Sequence, residues 1–308
     1  MDEDKPKVIA VMGPTAVGKT WLVSELAKDL GGEIVNADSV QIYRFMDIGT
    51  AKPTMADRAE VVHHLVDIVN PDQDFDASRY SQLAREVIAN LARQGKPTIV
   101  VGGTGLYLKA VFHGLFPGAP SDALVRQRLR REAEKDGGVE LYQRLQRIDP
   151  ITAQRVHPHD LFRIIRALEV WECRGQPISA LRGDHDFNDR PFLPLKIGLQ
   201  RPRRELYERI DSRVEEMMNQ GFVEEVKGLL SRGYKPNLKS MQALGYRHMI
   251  RYLINGVDIK EAVRTMKRDT RRYAKRQMTW FRRDQEINWF HPREKEDILR
   301  LAKRFLAA

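Results

Sequence analysis

The stretch Gly13-Pro14-Thr15-Ala16-Val17-Gly18-Lys19-Thr20 decides the fold. It follows the apolar run Val8-Ile-Ala-Val-Met12 and precedes a helical pattern with Leu22, Val23, Leu26, Ala27 and Leu30 on one side. That is the phosphate-binding loop, G-x-x-x-x-G-K-[ST], in its strand-loop-helix context. Its backbone amides and the following helix N-terminus wrap an anion, Lys19 supplies a point charge, and the Thr20 hydroxyl is placed to ligate Mg²⁺.

Outward from the loop, short apolar runs alternate with helical patterns. Strands are expected at residues 8–12, 33–37, 65–69 and 98–101, and helices at 21–30 and 78–94. The alternation implies an α/β fold of the phosphate-loop NTPase type, a parallel sheet flanked by helices with ligands at the carboxyl ends of its strands. Residues 118–194 then read as a mostly helical, Arg-rich insertion domain, with helices at 121–135, 139–147 and 161–174. A polar, proline-punctuated loop over 182–194 returns the chain to a strand at 195–199. The core domain therefore comprises 1–117 and 195–308, closing with helices and a short strand at 287–290.

The 308 residues carry 52 Lys plus Arg against 42 Asp plus Glu, a formal charge of +10 that favours a polyanionic partner. Cys173 is the single cysteine, so no internal disulfide or cysteine-based zinc site is expected, and a reducing compartment fits. The charged opening MDEDKPK leaves no room for a signal peptide before the first strand, and no apolar run reaches the length of a membrane span. A cytoplasmic protein with no membrane association is expected, and nothing demands more than a monomer.

A kinase or NTP hydrolase adds an acid at the end of an apolar strand. Here Pro97-Thr-Ile-Val-Val101 ends in Gly102-Gly-Thr-Gly105 instead. The available acid is Asp38, at the end of the second strand, where it would ligate magnesium, accept a proton from a nucleophile, or serve only as a cap or turn residue. Treated as one helix, residues 264–283 place Arg264, Arg268, Arg271, Lys275 and Arg282 on one stripe, with Met266, Tyr273, Trp280 and Phe281 roughly opposite as core packing. Nine Lys/Arg against one acid point to phosphate-backbone contact by the stripe. Adjacent His63 and His64 would face opposite sides of a strand, which argues for packing or capping and not a shared metal.

These residues resemble the tRNA dimethylallyltransferases along nearly the whole chain. The resemblance is carried by 13–20, "ADSVQIYRFMDIGTAKP" at 37–53, "HHLVD" at 63–67, "VGGTGLYLKA" at 101–110, "RALEV" at 166–170, "GYR" at 245–247 and "RRYAKRQMTWFRRD" at 271–284. The resemblance implies transfer of a dimethylallyl group from dimethylallyl diphosphate to N6 of the adenosine 3′ to the anticodon in tRNA. On that reading, residues 13–20 grip the diphosphate with Thr20 holding Mg²⁺, Asp38 accepts the amine proton, and Arg213 contacts the diphosphate. The spacing of Arg213 to Asp211, Glu215 and Glu216 would otherwise suggest an ordinary helical salt bridge.

The resemblance also implies tRNA contacts, in the anticodon stem-loop, from Asp38, Ser39, Val40, Gln41, Thr104, Arg126, Phe162, Arg163, Ile164, Ile165 and Arg166, beside Arg268, Arg271 and Lys275 of the stripe. The chain departs from the family at Phe162, where Gln is common. Competing functions are a small-molecule kinase, which leaves the basic helix idle, and a non-enzymatic RNA-binding protein, which gives Lys19, Thr20 and Asp38 no reason to converge. A third is an adenylate isopentenyltransferase, which has no use for the Arg-rich insertion.

Overall fold

The structure, a computed structural model, describes residues 5–114, 122–183 and 189–308, without the side chains of 182 and 183. In chain order the elements are β1 (Lys7–Met12), α1 (Lys19–Leu30), β2 (Glu33–Asn36), α2 (Met55–Glu60), β3 (His63–His64), α3 (Ala77–Arg93), β4 (Thr98–Gly102) and α4 (Gly105–His113). Then come α5 (Ala123–Asp136), α6 (Val139–Ile148), α7 (Pro150–Arg155), α8 (Leu161–Arg174) and α9 (Ile178–Gly183). The chain closes with β5 (Leu193–Leu199), α10 (Arg203–Asn219), α11 (Phe222–Ser231), α12 (Tyr246–Asn255), α13 (Ile259–Phe281), β6 (Asn288–Phe290) and α14 (Lys295–Ala307).

Two compact units result: Met1–Phe112 with Arg190–Ala308, and His113–Asp189. The sequence boundary at 117/118 and the start of the expected helix at Ser121 lie outside the described residues.

In the first unit six strands form one sheet in the order β3-β2-β4-β1-β5-β6, every pairing parallel. Covered on both faces, β1 and β4 are apolar and buried nearly throughout rather than alternating. Leu22, Val23 and Leu26 of α1 pack with Ile9, Val11, Ile99 and Ile197 of the sheet, joined by Ile210 of α10, Ala274 of α13 and Ile298 of α14. Each fully buried aliphatic side chain of this kind contributes roughly 1.5–3 kcal/mol. The lone buried ammonium of β5, Lys196, pairs with Asp284 at 2.8 Å and Glu286 at 2.6 Å. Those pairs fix the turn that feeds β6 alongside β5.

The expected strand at 65–69 does not form, because Leu65 and Asp67 have φ of 60° and 57°. The ladder stops after His64, and Val69 makes only an isolated bridge to Tyr43. Asp67 is drawn instead into ion pairs with Lys52 (2.6 Å) and Arg58 (2.6 Å).

The segment after β2 is hung from α11. Glu225 accepts the backbone N–H groups of Asp47 (2.9 Å), Ile48 (2.6 Å) and Gly49 (3.2 Å) and the Tyr246 hydroxyl (2.6 Å). One carboxylate thereby satisfies four donors and holds the carbonyl of Thr50 where the site uses it.

The second unit has its own core, with Leu129, Leu141, Leu145, Ala153, Ile164, Ile165 and Leu168 buried together. Among the described residues, no helix is long and apolar enough to cross a membrane.

Candidate functional site

The phosphate loop leaves the carboxyl end of β1 and turns into α1 through Gly18, whose φ of 112° suits glycine. Gly18 makes no side-chain cap, which leaves the first amides of α1 without a side-chain acceptor. Lys19 Nζ donates to the carbonyls of Gly13 (3.0 Å) and Pro14 (2.8 Å). Burial lowers its pKa to about 8, against the opposing pull of the Asp38 charge and with some help from Arg213. The loop's outer carbonyls are braced, Val17 by Arg201 Nε (2.7 Å) and Ala16 by Arg209 Nε (3.0 Å). Val17 itself is fully buried and packs in the core.

Arg213 reaches the same pocket from α10 and donates to the Thr50 carbonyl at 3.3 Å. The helical salt bridge its spacing suggests is not made, since Asp211 engages Arg271 (3.2 Å) and Glu215 engages Lys267 (2.6 Å). Burial depresses the Arg213 pKa while Asp38 opposes the shift.

Asp38 takes the turn role that its position allowed. Its Oδ1 accepts from Val40 N (2.8 Å) and Gln41 N (3.4 Å), an Asx turn, while Oδ2 has no hydrogen-bond partner among the described residues. The carboxylate lines one pocket with Thr15, Lys19, Thr20, Gln41 and Arg213, and it is the only acid among the described residues there. Gln41 is fixed by bonds to the Thr50 (3.1 Å) and Ala51 (3.3 Å) carbonyls. Thr104 Oγ1 accepts from Ser39 N at 3.2 Å, tying the turn after β4 to the turn after β2.

Sequence reasoning missed Asn36, Thr50, His63, Tyr273 and Gln277, all of which line the pocket. His63 and His64 do diverge: His63 Nδ1 lies 2.8 Å from the Val61 carbonyl, and His64 Nε2 lies 2.6 Å from Glu33. The His63 Nε2 atom is buried without a partner, and burial lowers the ring's pKa. No group of three or more His, Cys, Asp or Glu side chains able to hold a metal occurs among the described residues.

In the second unit, Arg126 (2.9 Å) and Arg166 (2.8 Å) converge on Glu169, whose side chain is fully buried. Ile164 and Ile165 have side chains buried in that unit's core. Phe162, 77% exposed, and Arg163 remain on the surface of the first turn of α8.

The stripe on α13 is partly paired with acids. Arg264 pairs with Glu261 (2.7 Å), Arg268 with Asp269 (3.0 Å) and Arg271 with Asp211 (3.2 Å). Lys275, Arg276, Arg282 and Arg283 carry no acidic partner among the described residues, and Arg272 lies only loosely at 3.8 Å from Asp269. The free cations thus sit toward the end of the helix and beyond it. Of the four residues expected to be core, Met266 and Phe281 are buried, whereas Tyr273 lines the pocket and Trp280 is 41% exposed.

A family model described as IPP transferase matches residues 41–284. The tRNA dimethylallyltransferase of Desulfosudis oleivorans is 52% identical over 303 residues, covering 98% of this chain and 96% of that protein. Among solved structures, the full-length tRNA isopentenylpyrophosphate transferase of Bacillus halodurans is 38% identical with a TM-score of 0.74, covering 98% and 97% of the two chains. A eukaryotic dimethylallyltransferase acting on tRNA is 28% identical with a TM-score of 0.76, covering 89% of this chain and 69% of that one.

The lowered Lys19 pKa has a measurable consequence. The charged ammonium is the form that attracts an anion, and its free-state pKa is about 8. Affinity for an organic diphosphate should therefore be flat below about pH 7, fall as pH rises through 8, and be accompanied by proton uptake near pH 8. Calorimetric titrations in buffers of different ionisation enthalpy measure both; a pH-independent affinity up to pH 9.5, or loss of the effect in no degree on Lys19→Met, would contradict the assignment.

Proposed function

The chain belongs to the IPP transferase family, and from that premise we propose that it transfers a dimethylallyl group from dimethylallyl diphosphate to N6 of the adenosine 3′ to the anticodon in tRNA. The observation that carries this reading is a phosphate loop with two half-buried cations, Lys19 and Arg213, facing a single carboxylate whose Oδ2 is uncommitted. Such a site lacks the strand-ending acid of a kinase and suits a reaction whose phosphate is a leaving group.

In the proposed step the N6 lone pair attacks C1 of the donor. The N–C bond forms, the C1–O bond breaks, and the electron pair leaves with diphosphate. Lys19, Arg213 and the amides of the loop stabilise the developing charge, preorganised for it before reaction. The N6 proton passes to Asp38 Oδ2, while the Asx turn through Oδ1 keeps the carboxylate aimed. Mg²⁺ fits the residues present, since it is commonly bound by few protein groups plus substrate phosphates and water, and Thr20 would hold it, with Asp38 nearby. When bound it would neutralise charge on the diphosphate.

The adenosine must leave its stack to reach this pocket, which an unpaired anticodon loop permits at low cost. Ser39, Val40, Gln41 and Thr104 border the base's position, and the free cations Lys275 and Arg276 are offered to the RNA backbone, with Phe162 and Arg163 contributing from the second unit. A monomeric enzyme working in the cytoplasm completes the reading.

Incubation with labelled dimethylallyl diphosphate and either tRNA, AMP or no acceptor tests it. Label should enter tRNA only; transfer to AMP would assign a nucleotide prenyltransferase. Asp38→Asn should slow transfer by about 10²–10⁴ with tRNA affinity changed by only a few-fold, and near-normal turnover at saturation would remove Asp38 from the base role.

The pairing along the stripe shapes the expected salt dependence. Each phosphate-neutralising cation contributes roughly 0.7–0.9 to the slope of log affinity against log salt. Replacing Arg272, Lys275 and Arg276 with Gln should flatten the slope by about two to three units, more than the same change at the acid-paired Arg264, Arg268 and Arg271. Equal flattening by the two triple variants would contradict the assignment of the free cations.

A further inference from the structure

The buried face of α13 reads Ala262, Met266, Ala274, Gln277 and Phe281, and Gln277 is its one polar member, 7% exposed. A buried amide is costly unless both its ends are bonded, and here both ends meet backbone of the site. Gln277 Oε1 accepts the Thr15 N–H of the phosphate loop at 2.9 Å, and its Nε2 donates to the Gly103 carbonyl after β4 at 2.9 Å. The fit is close: a Cβ on Gly103 would lie 2.3 Å from that Nε2, so any side chain there would displace the Gln277 amide from its place.

Neither Glu nor Met could make this bridge, since it needs an acceptor and a donor on one planar group. One turn earlier, Tyr273 faces the same pocket. Thr104, the residue after Gly103, accepts from the Ser39 amide at 3.2 Å, next to Asp38. The phosphate loop and the turn that holds the carboxylate are therefore linked through Gln277 of α13 and the Gly103-Thr104 segment.

We infer that Gln277 is a positioning residue that sets the distance between the phosphate loop and the Asp38 turn by bridging Thr15 and Gly103. The inference rests on the proposed prenyl transfer for its kinetic consequence, but the bridge itself is measurable without it. Gln277 touches neither donor nor acceptor atoms in this assignment. It fixes the geometry in which the amine, C1 and the carboxylate align, where a displacement of about 1 Å can cost on the order of 10² in rate.

The test uses the full chain with Gln277→Met, which keeps length and volume, and Gln277→Asn, which keeps an amide too short to span both partners. Amide exchange at Thr15, read by NMR, should quicken at least tenfold in both variants. The single-turnover rate at saturating dimethylallyl diphosphate and tRNA should fall at least tenfold, with tRNA affinity within threefold and the melting temperature little changed. A merely structural residue would lower melting temperature and the active fraction while leaving the rate per active site intact.

A folded variant that keeps the wild-type rate within twofold, or unaltered exchange at Thr15, overturns the inference. Should wild-type protein transfer no prenyl group at all, the proposed function fails while the exchange comparison still decides the bridge.

Discussion

A half-buried ammonium group at the end of β1 needs an anion, and most of the site follows from how that need is met. Lys19 and Arg213 are both partly withdrawn from water, and Asp38 is the one carboxylate among the described residues of their pocket. Two cations against one carboxylate leave positive charge to be matched, and Lys19 meets part of it through the Gly13 and Pro14 carbonyls. On the proposed reading a diphosphate would supply the missing charge.

The sheet makes this arrangement affordable. β1, β2 and β4 are neighbours with carboxyl ends in register, Met12 opposite Gly102 and Asn36 opposite Val101, so the phosphate loop, the Asp38 turn and the Gly102-Gly103-Thr104 turn emerge side by side. Helices α10 and α13 then bring Arg213, Tyr273 and Gln277 over that edge. The scaffold is rigid where the chemistry is local, and the C-terminal helices add what the strand ends lack.

What was legible in the sequence divides along contact range. Residues 13–20 and Asp38 could be read directly, because each motif lies in one continuous stretch whose context, strand then turn, is visible nearby. Gln277 could not, because its partner Thr15 is 262 positions away; a single amide within an apolar helical face was the only signal. On the basic stripe only Arg271 is paired from a distant element, by Asp211 of α10, whereas Arg264 and Arg268 pair with Glu261 and Asp269 of their own helix, acids that were in view in the sequence. The strand expected at 65–69 failed on backbone conformation, with Leu65 and Asp67 in the left-handed region despite an apolar pattern. In the insertion, the run Phe162 to Arg166 mixes surface and core positions, which a contiguous motif cannot distinguish but helical periodicity does.

The central claim is that the loop grips a leaving group and that no phosphorus–oxygen bond breaks. The direct measurement is the fate of the bridging oxygen in dimethylallyl diphosphate labelled with ¹⁸O between C1 and the first phosphorus, followed by mass spectrometry of the products after reaction with tRNA. Cleavage of the C1–O bond should deliver all the label to diphosphate and none to an alcohol. Label appearing in dimethylallyl alcohol would show phosphorus–oxygen cleavage and contradict the account.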